Sequence, residues 1–473
     1  MPDQSLPDPI LAVVKPGAEP ATDVDGAGEH SALAAGGSPP AGRTSIQAAK
    51  RKGFAGVLQQ LGPGLITGAS DDDPSGIGTY SQVGSQFGYG LLWLALFTFP
   101  LMSAVQELCA RIALQTGVGL GASLRRKFPR WLVGMAIFGL LVANTFNVGA
   151  DLGAVAAAGA LLSRGALQAL WLVVPVAFLI IALQVFATYA AIFKIFKWLT
   201  LALFAYVITA FFAHPPLLEV LKATVIPHIE FSKDFIMALV AVLGTTLSPY
   251  LFFWQASSEV DELAAAGATN PQTGRHGLRR AELQAARTDV LIGMAFSNLV
   301  MYFIILTSGA VLHAHGKTGV QTADQAAAAL APFAGPFAFI VFSVGLIGAG
   351  LLAIPILTGS ASYAIKEFLG LPGSLASKPQ QRPTFYLILT LATVAGVVMN
   401  FMHLDPIRAL FISAVINGVV APPLLVLIVL LGRDATVMRR YVSRRLSLAL
   451  TGIATVFMAV AAITMFATML ASR

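Results

Sequence analysis

Asp71-Asp72-Asp73-Pro74-Ser75-Gly76 interrupts a segment otherwise built to cross a membrane. Upstream, Phe54 to Ser70 (FAGVLQQLGPGLITGAS) is mostly apolar, and downstream the chain is small and apolar again before Gly90-Leu91-Leu92-Trp93. A carboxylate at membrane depth costs roughly 2.5–3.5 kcal/mol on insertion scales, so acids placed there mark function. Proline and glycine break the helix, and irregular backbone is tolerated at that depth only inside protein or beside a water-filled cavity. Acidic ligands at a broken helix point to a bound cation.

Composition places the whole chain in the same medium. Its 473 residues are 56% hydrophobic and 11% charged, with a mean hydropathy of +0.76, against about 25% charged in an ordinary soluble domain. This is a polytopic membrane protein whose first partner is the lipid bilayer. A net charge of +7 could suggest nucleic acid. The basic residues instead cluster in short loops between hydrophobic spans, as the positive-inside rule requires, so no nucleic-acid partner is expected. The one cysteine, Cys109, lies in an apolar stretch and reads as a packing residue. Residues 1–53 read as a disordered cytoplasmic tail rich in Pro, Gly, Ala, Ser and Asp. They lack the basic and apolar regions of a signal peptide.

At about 20 apolar residues per crossing, eleven spans are expected: 56–86 (broken), 90–116, 131–161, 168–188, 194–213, 235–260, 287–312, 335–365, 384–403, 407–431 and 446–470. Charges in the connections test the count. The even-numbered connections carry Arg125, Arg126, Lys127 and Arg130; Lys194 and Lys197; Arg275, Arg279, Arg280 and Arg287; Lys366, Lys378 and Arg382; and Arg433, Arg439, Arg440, Arg444 and Arg445. The odd-numbered ones carry only Arg164, Lys222, Lys233, Lys317 and Arg408. All ten connections fit one topology in the cytoplasmic (inner) membrane, N-terminus inside and C-terminus outside.

A second interruption lies in the sixth span, Phe235 to Glu259 (FIMALVAVLGTTLSPYLFFWQASSE), at Gly244-Thr245-Thr246-Leu247-Ser248-Pro249. Proline removes a backbone donor there, and Ser and Thr offer local hydrogen-bond alternatives. Spans one and six each open a run of five, and interruptions at corresponding places in two halves are the signature of inverted-repeat transporters. Because five is odd, the second run starts from the opposite side of the membrane. The expected organisation is a first repeat at 54–213, an extracytoplasmic loop at 214–234, a second repeat at 235–431, and a basic cytoplasmic loop with an eleventh helix at 432–473. The breaks should meet at the midplane, where freed carbonyls coordinate cations.

Several further motifs, in this order and spacing, make residues 56–431 resemble the natural-resistance-associated macrophage protein (Nramp) family of divalent metal transporters. They are Leu61-Gly62-Pro63-Gly64-Leu65, Asp73-Pro74, Ala110-Arg111-Ile112-Ala113-Leu114-Gln115-Thr116-Gly117, Asp151-Leu152, Lys197-Trp198-Leu199-Thr200-Leu201, Pro249, Asn298, and Asn417-Gly418 with Pro422. The resemblance implies an all-α, LeuT-type fold of five plus five inverted helices with an eleventh. It also implies a divalent cation as substrate, with no cofactor. Carried over residue by residue, the metal ligands would be Asp73, the carbonyls of Ser70 and Thr245, and the positions of Gly76 and Ser248. Pro74, Pro249 and Tyr250 would stand at the breaks and gates. Where the family has Asp-Pro-Gly-Asn, this chain has Asp73-Pro74-Ser75-Gly76; where it has Met-Pro-His, this chain has Ser248-Pro249-Tyr250.

Those departures have a chemical direction. Thioether sulfur suits softer metals, and carboxylate, carbonyl and water suit magnesium, calcium and manganese. A site without Met and Asn but flanked by Asp71 and Asp72 is harder and more anionic, resembling the Nramp-related magnesium transporter branch. Mg²⁺ or Mn²⁺ is therefore favoured over Fe²⁺ or Cd²⁺, with Asp72 a further ligand. Of the family's Asp-x-x-Glu in the third span only Asp151 remains, and the ninth span lacks arginine. All seven histidines fall in tails, loops or helix ends. Proton coupling is expected to be weak or absent, with Asp151 and Glu107 the candidate relays; Glu107 is also spaced to pair with Arg111. No phosphate-binding loop, zinc cluster or nucleophile elbow is present, so an enzyme is not expected. The rival reading is a LeuT-fold carrier of an organic, cationic or amino-acid-like solute, whose own carboxylate Asp71 to Asp73 would repel. No obligatory protein partner is evident.

Overall fold

A computed structural model describes residues 62–187, 201–269, 274, 280–320, 322–375, 377–402 and 405–471. The tail at 1–53, the start of the first span, Lys194, Lys197 to Thr200, Arg275, His276, Arg279 and His403 lie outside the described residues. The described residues hold helices and no strand: α1 (Pro63–Asp71), α2 (Pro74–Phe87), α3 (Trp93–Thr116), α4 (Leu120–Lys127), α5 (Arg130–Leu162), α6 (Ala169–Phe186), α7 (Phe204–Phe212), α8 (Leu217–Val225), α9 (Lys233–Thr246), α10 (Pro249–Ala265), α11 (Arg280–Val311), α12 (Ala323–Ala327), α13 (Ala331–Ala334), α14 (Ala338–Leu369), α15 (Pro383–Asn400), α16 (Pro406–Arg433), α17 (Ala435–Met438) and α18 (Arg445–Ala471). Among the described residues, nine helical segments are long and apolar enough to cross a membrane, α9 and α10 counting as one.

Both interruptions are true breaks, and both are built the same way. Each is two residues long and ends at a proline in the first turn of the next helix. Asp72 (φ −84°, ψ 51°) and Leu247 (φ −120°, ψ 49°) leave the helical region at matching places. Asp73 (φ −70°, ψ 170°) and Ser248 (φ −69°, ψ 127°) are then extended, as the residue before proline prefers to be. Proline alone does not do this. Pro100, Pro175, Pro355, Pro422 and Pro423 all lie inside unbroken helices.

The two halves repeat their helix lengths. The third helices, α5 and α14, have 33 and 32 residues; the fourth, α6 and α15, have 18 each. The polarity is that of a protein dissolved in lipid: Phe186 is 88% exposed on α6, and Asp73 is 2% exposed inside. Cys109 is a buried free thiol. Phe252, Phe253 and Trp254 are buried packing residues.

Glycine lets the broken helices approach their neighbours backbone to backbone. A Cβ on Gly68 would stand 2.1 Å from the Gly293 carbonyl oxygen, and one on Gly293 2.1 Å from that of Gly64. Gly244 presses α9 onto α16 in the same way, 2.0 Å from the Ala414 oxygen. Asp289 on α11 then caps α1, accepting the backbone N–H of Gly62, Gly64 and Leu65 at 2.9, 2.6 and 3.1 Å. At the bundle's edge, Lys127 pairs with Asp434 and holds that carboxyl below the usual carboxylate range.

The structure differs from the expected spans in several places, among them α4 in the connection between the second and third spans. Helix α11 begins at Arg280 rather than near 287, because Arg280–Arg287 (RAELQAAR) is a strong helix former too polar to register as membrane-spanning. The stretch expected as a loop at 214–234 contains α8, which buries Val220 and exposes Leu217, Leu218, Leu221 and Val225. Before the eighth span, α12 and α13 are short turns that end at α14's start, Ala338.

The glycine contact yields a test of this packing. Gly293→Ala should destabilise the protein by about 1–3 kcal/mol through overpacking, read as a lower melting temperature in detergent. Gly452→Ala on α18, where nothing lies within 4 Å, is the control and should be silent. Equal melting temperatures for the two variants would refute the close approach.

Candidate metal site at the two helix breaks

Asp73 is the N-cap of α2, which fixes its side chain before any ligand is considered. Its Oδ1 accepts the Gly76 N–H at 2.7 Å and the Ser75 hydroxyl at 2.8 Å. Its Oδ2 faces away, toward α5 and α10, accepting Asn147 Nδ2 at 2.8 Å and the Tyr250 hydroxyl at 3.3 Å. Gly76 thus contributes a backbone donor turned to Asp73, and it carries no side chain that could reach an ion.

Tyr250 joins the two breaks. Standing in the first turn of α10, its hydroxyl donates at 2.9 Å to the carbonyl oxygen of Ser70, near the end of α1. That carbonyl and Asp73 Oδ2 are both atoms the metal-site resemblance singles out, and one phenol touches both. Its backbone oxygen accepts from Ser360 on α14 at 2.8 Å, which steadies the ring's helix. On the other break, the Ser248 hydroxyl folds back to donate to the carbonyls of Gly244 (2.8 Å) and Thr245 (2.7 Å). Carbonyls freed by Pro249 are thereby satisfied from within the break.

Asp71 and Asp72 turn to a different neighbour. Ser297 on α11 donates to Asp71 Oδ2 at 2.6 Å, and lies 3.3 Å from Asp72 Oδ1. Ser70, Asp71, Asp72, Asp73, Thr245, Ser248 and Tyr250 are each at most 2% exposed. The two breaks are therefore sealed from bulk solvent in this state. Among the described residues, no three His, Cys, Asp or Glu side chains converge as a metal-binding group. The donor set is mixed: carboxylate, carbonyl and hydroxyl oxygens.

Asn147 ties the site to Asp151. One amide group donates to Asp73 and, at 3.4 Å, to Asp151 Oδ2; its oxygen accepts from Asn417 on α16 at 3.1 Å. Glu107 sits elsewhere, accepting from Arg111 Nε at 3.1 Å one turn along α3. Asn298 also lies off the site, bonded to the Ala95 carbonyl at 2.7 Å. Sequence reasoning passed over Asn147, Ser75 and Ser297. Asn147 had a signal, an amide one turn before Asp151 in an apolar span; Ser297 had none.

Comparison with known proteins then decides the family. The family model described as "Natural resistance-associated macrophage protein-like" matches residues 64–468. The chain belongs to the Nramp family. Its members are transporters, not enzymes, so this chain is a multi-pass membrane transporter. It is similar to the divalent metal cation transporter MntH of Erwinia tasmaniensis, 27% identical over 336 residues, covering 70% of this chain and 78% of that one. Among solved structures, a manganese transporter from Eremococcus coleocola superposes with a TM-score of 0.68 at 17% identity, covering 88% of this chain and 89% of that one. A nucleobase-cation-symport-1 family transporter in a closed conformation gives a TM-score of 0.54 at 15% identity, covering 86% and 90%. Those two likenesses establish the LeuT-type fold, with α18 as the helix outside the repeats.

Asn147 offers the sharpest test of this geometry within the family. Asn147→Ala removes the amide shared by two buried carboxylates and should cost about 1–3 kcal/mol of stability. Divalent-cation binding by purified protein should weaken alongside. Wild-type melting temperature together with wild-type affinity would show that the shared amide plays no part.

Proposed function

We propose that this transporter imports divalent metal cations by alternating access, with Mg²⁺ or Mn²⁺ preferred and Fe²⁺ possible as a poorer substrate. One observation carries the reading: the Tyr250 hydroxyl is bonded at once to the Ser70 carbonyl and Asp73, across both helix breaks. An arriving cation would exchange with that hydroxyl, taking Asp73, the Ser70 and Thr245 carbonyls and Ser248 as ligands, with Asp72 beside them. Pro74 and Pro249 hold the breaks open for it, and Tyr250 acts as the gate that closes when the ion is gone. The names of the relatives, a divalent metal cation transporter and a manganese transporter, support the same substrate class.

The donor set supports the choice of metal. All the side chains named are oxygen donors, which suit hard ions, and no thioether stands at the second break. The placement of the histidines and of Glu107 supports weak or absent proton coupling. The described histidines, His214, His228, His313 and His315, all lie outside the long helices. Asp151 keeps the position of a relay through Asn147, and Glu107 is engaged by Arg111. Membrane potential alone is worth about 4.6 kcal/mol for a divalent ion per 100 mV, enough to drive accumulation with the N-terminus inside and the C-terminus outside.

Uptake into proteoliposomes with internal pH recorded tests the proposal. Mn²⁺ and Mg²⁺ should enter without stoichiometric acidification, and Asp73→Ala should abolish uptake. Ser248→Met should strengthen Cd²⁺ binding by roughly tenfold, about 1.4 kcal/mol, and weaken Mg²⁺. Uptake of an organic cation with no response to Mn²⁺ would overturn the reading, and one proton per ion would overturn the coupling.

A further inference from the structure

Asp71 and Asp72 occupy the worst place in a helix for an anion. They are the last residue and the C-cap of α1, where the helix macrodipole presents its negative end. Asp73, one residue on, has the opposite setting: the N-terminus of α2 and four hydrogen-bond donors. Asp73 is thus satisfied without a cation. The other two are not, since Ser297 serves one oxygen of each, and Asp71 Oδ1 and Asp72 Oδ2 are buried with no hydrogen-bond partner. A second observation points into the same space. The Tyr80 hydroxyl on α2 is wholly buried and makes no hydrogen bond of ordinary geometry. Its ring lies at the first break: a Cβ on Gly76 would stand 3.2 Å from Tyr80 Cε2 and 3.3 Å from the Asp71 carbonyl oxygen.

We infer that Asp71 and Asp72, set by Ser297 and completed by the Tyr80 hydroxyl, form a divalent-cation subsite of their own beside the Asp73 site. The inference rests on the proposed transport of divalent cations and adds a second ion to it. Two carboxylates match one divalent charge, so the filled subsite is neutral and does not repel an ion held at Asp73. The helix end that destabilises the bare acids stabilises the cation. Oxygen donors without sulfur or imidazole select a hard ion.

Electron paramagnetic resonance of Mn²⁺ titrated into the full chain in lipid nanodiscs counts the ions directly. Wild type should bind two Mn²⁺ per chain, with dipolar broadening between neighbouring ions as the second enters. The nearly isosteric change Asp71→Asn should bind one, and that retained ion proves the variant folded. Asp73→Asn should also retain one ion, and Ser297→Ala should weaken only the second by roughly tenfold. A single ion in wild type, two ions in the Asp71→Asn variant, or a single ion lost equally from the Asp71→Asn and Asp73→Asn variants would overturn the separate subsite while leaving divalent transport intact. No Mn²⁺ bound by wild type would overturn both.

Discussion

Backbone broken twice inside an apolar medium must find its hydrogen-bond partners within the protein, and that requirement organises the bundle's centre. Each unsatisfied group at membrane depth costs several kcal/mol. The breaks meet the requirement partly by themselves, through Ser248 on Gly244 and Thr245 and through Asp73 on Gly76. The remainder they meet in each other, through the Tyr250 hydroxyl on Ser70. Pro100, Pro175, Pro355, Pro422 and Pro423 lie inside helices without breaking them. What separates Pro74 and Pro249 is an extended residue before each whose side-chain oxygen bonds the neighbouring backbone.

The three consecutive carboxylates fall on both sides of one break, which gives them unlike electrostatics despite their adjacency. Asp73 lies at the positive end of α2 and is held by backbone and side-chain donors. Asp71 and Asp72 lie at the negative end of α1, and share a single hydroxyl from α11. Charge buried in a membrane protein is costly, so the demand for a counter-charge is concentrated on the two acids the Nramp motif does not include.

Much of the fold was legible because its signals are local. Hydropathy and loop charge marked the spans, and Asp73-Pro74 and Ser248-Pro249 marked the breaks. Helix α8 and the early start of α11 were not legible, since amphipathic and charged helices lie below any window tuned to hydrocarbon. The site was legible only along the chain. Tyr250 stood out beside Pro249, yet its bond to Ser70 spans 180 residues, and Ser297 reaches Asp71 across 226. A serine in a membrane helix carries no mark of such a partner. Asn147 did carry one, four residues before Asp151, and polar spacing along α5 would have found it.

The contacts also show what holds each side of the first break. Helix α1 is held by α11, through Asp289 at its N-terminus, the glycine contact at Gly293 and Ser297 at its C-terminus. Helix α2 is held through Asp73 by α5 and α10. Both halves of the first span also pack on α11, since a Cβ on Gly84 of α2 would stand 2.5 Å from the Ile305 carbonyl oxygen. Any movement of α1 away from α10 must break the Tyr250–Ser70 bond and also the bond from the Thr67 hydroxyl to Gln255 Oε1 at 2.6 Å. It need not disturb the four donors on Asp73. A cation that replaces the phenol at Ser70 and Asp73 would take over that tie, so the presence of an ion and the coupling of α1 to α10 are governed by the same few oxygens.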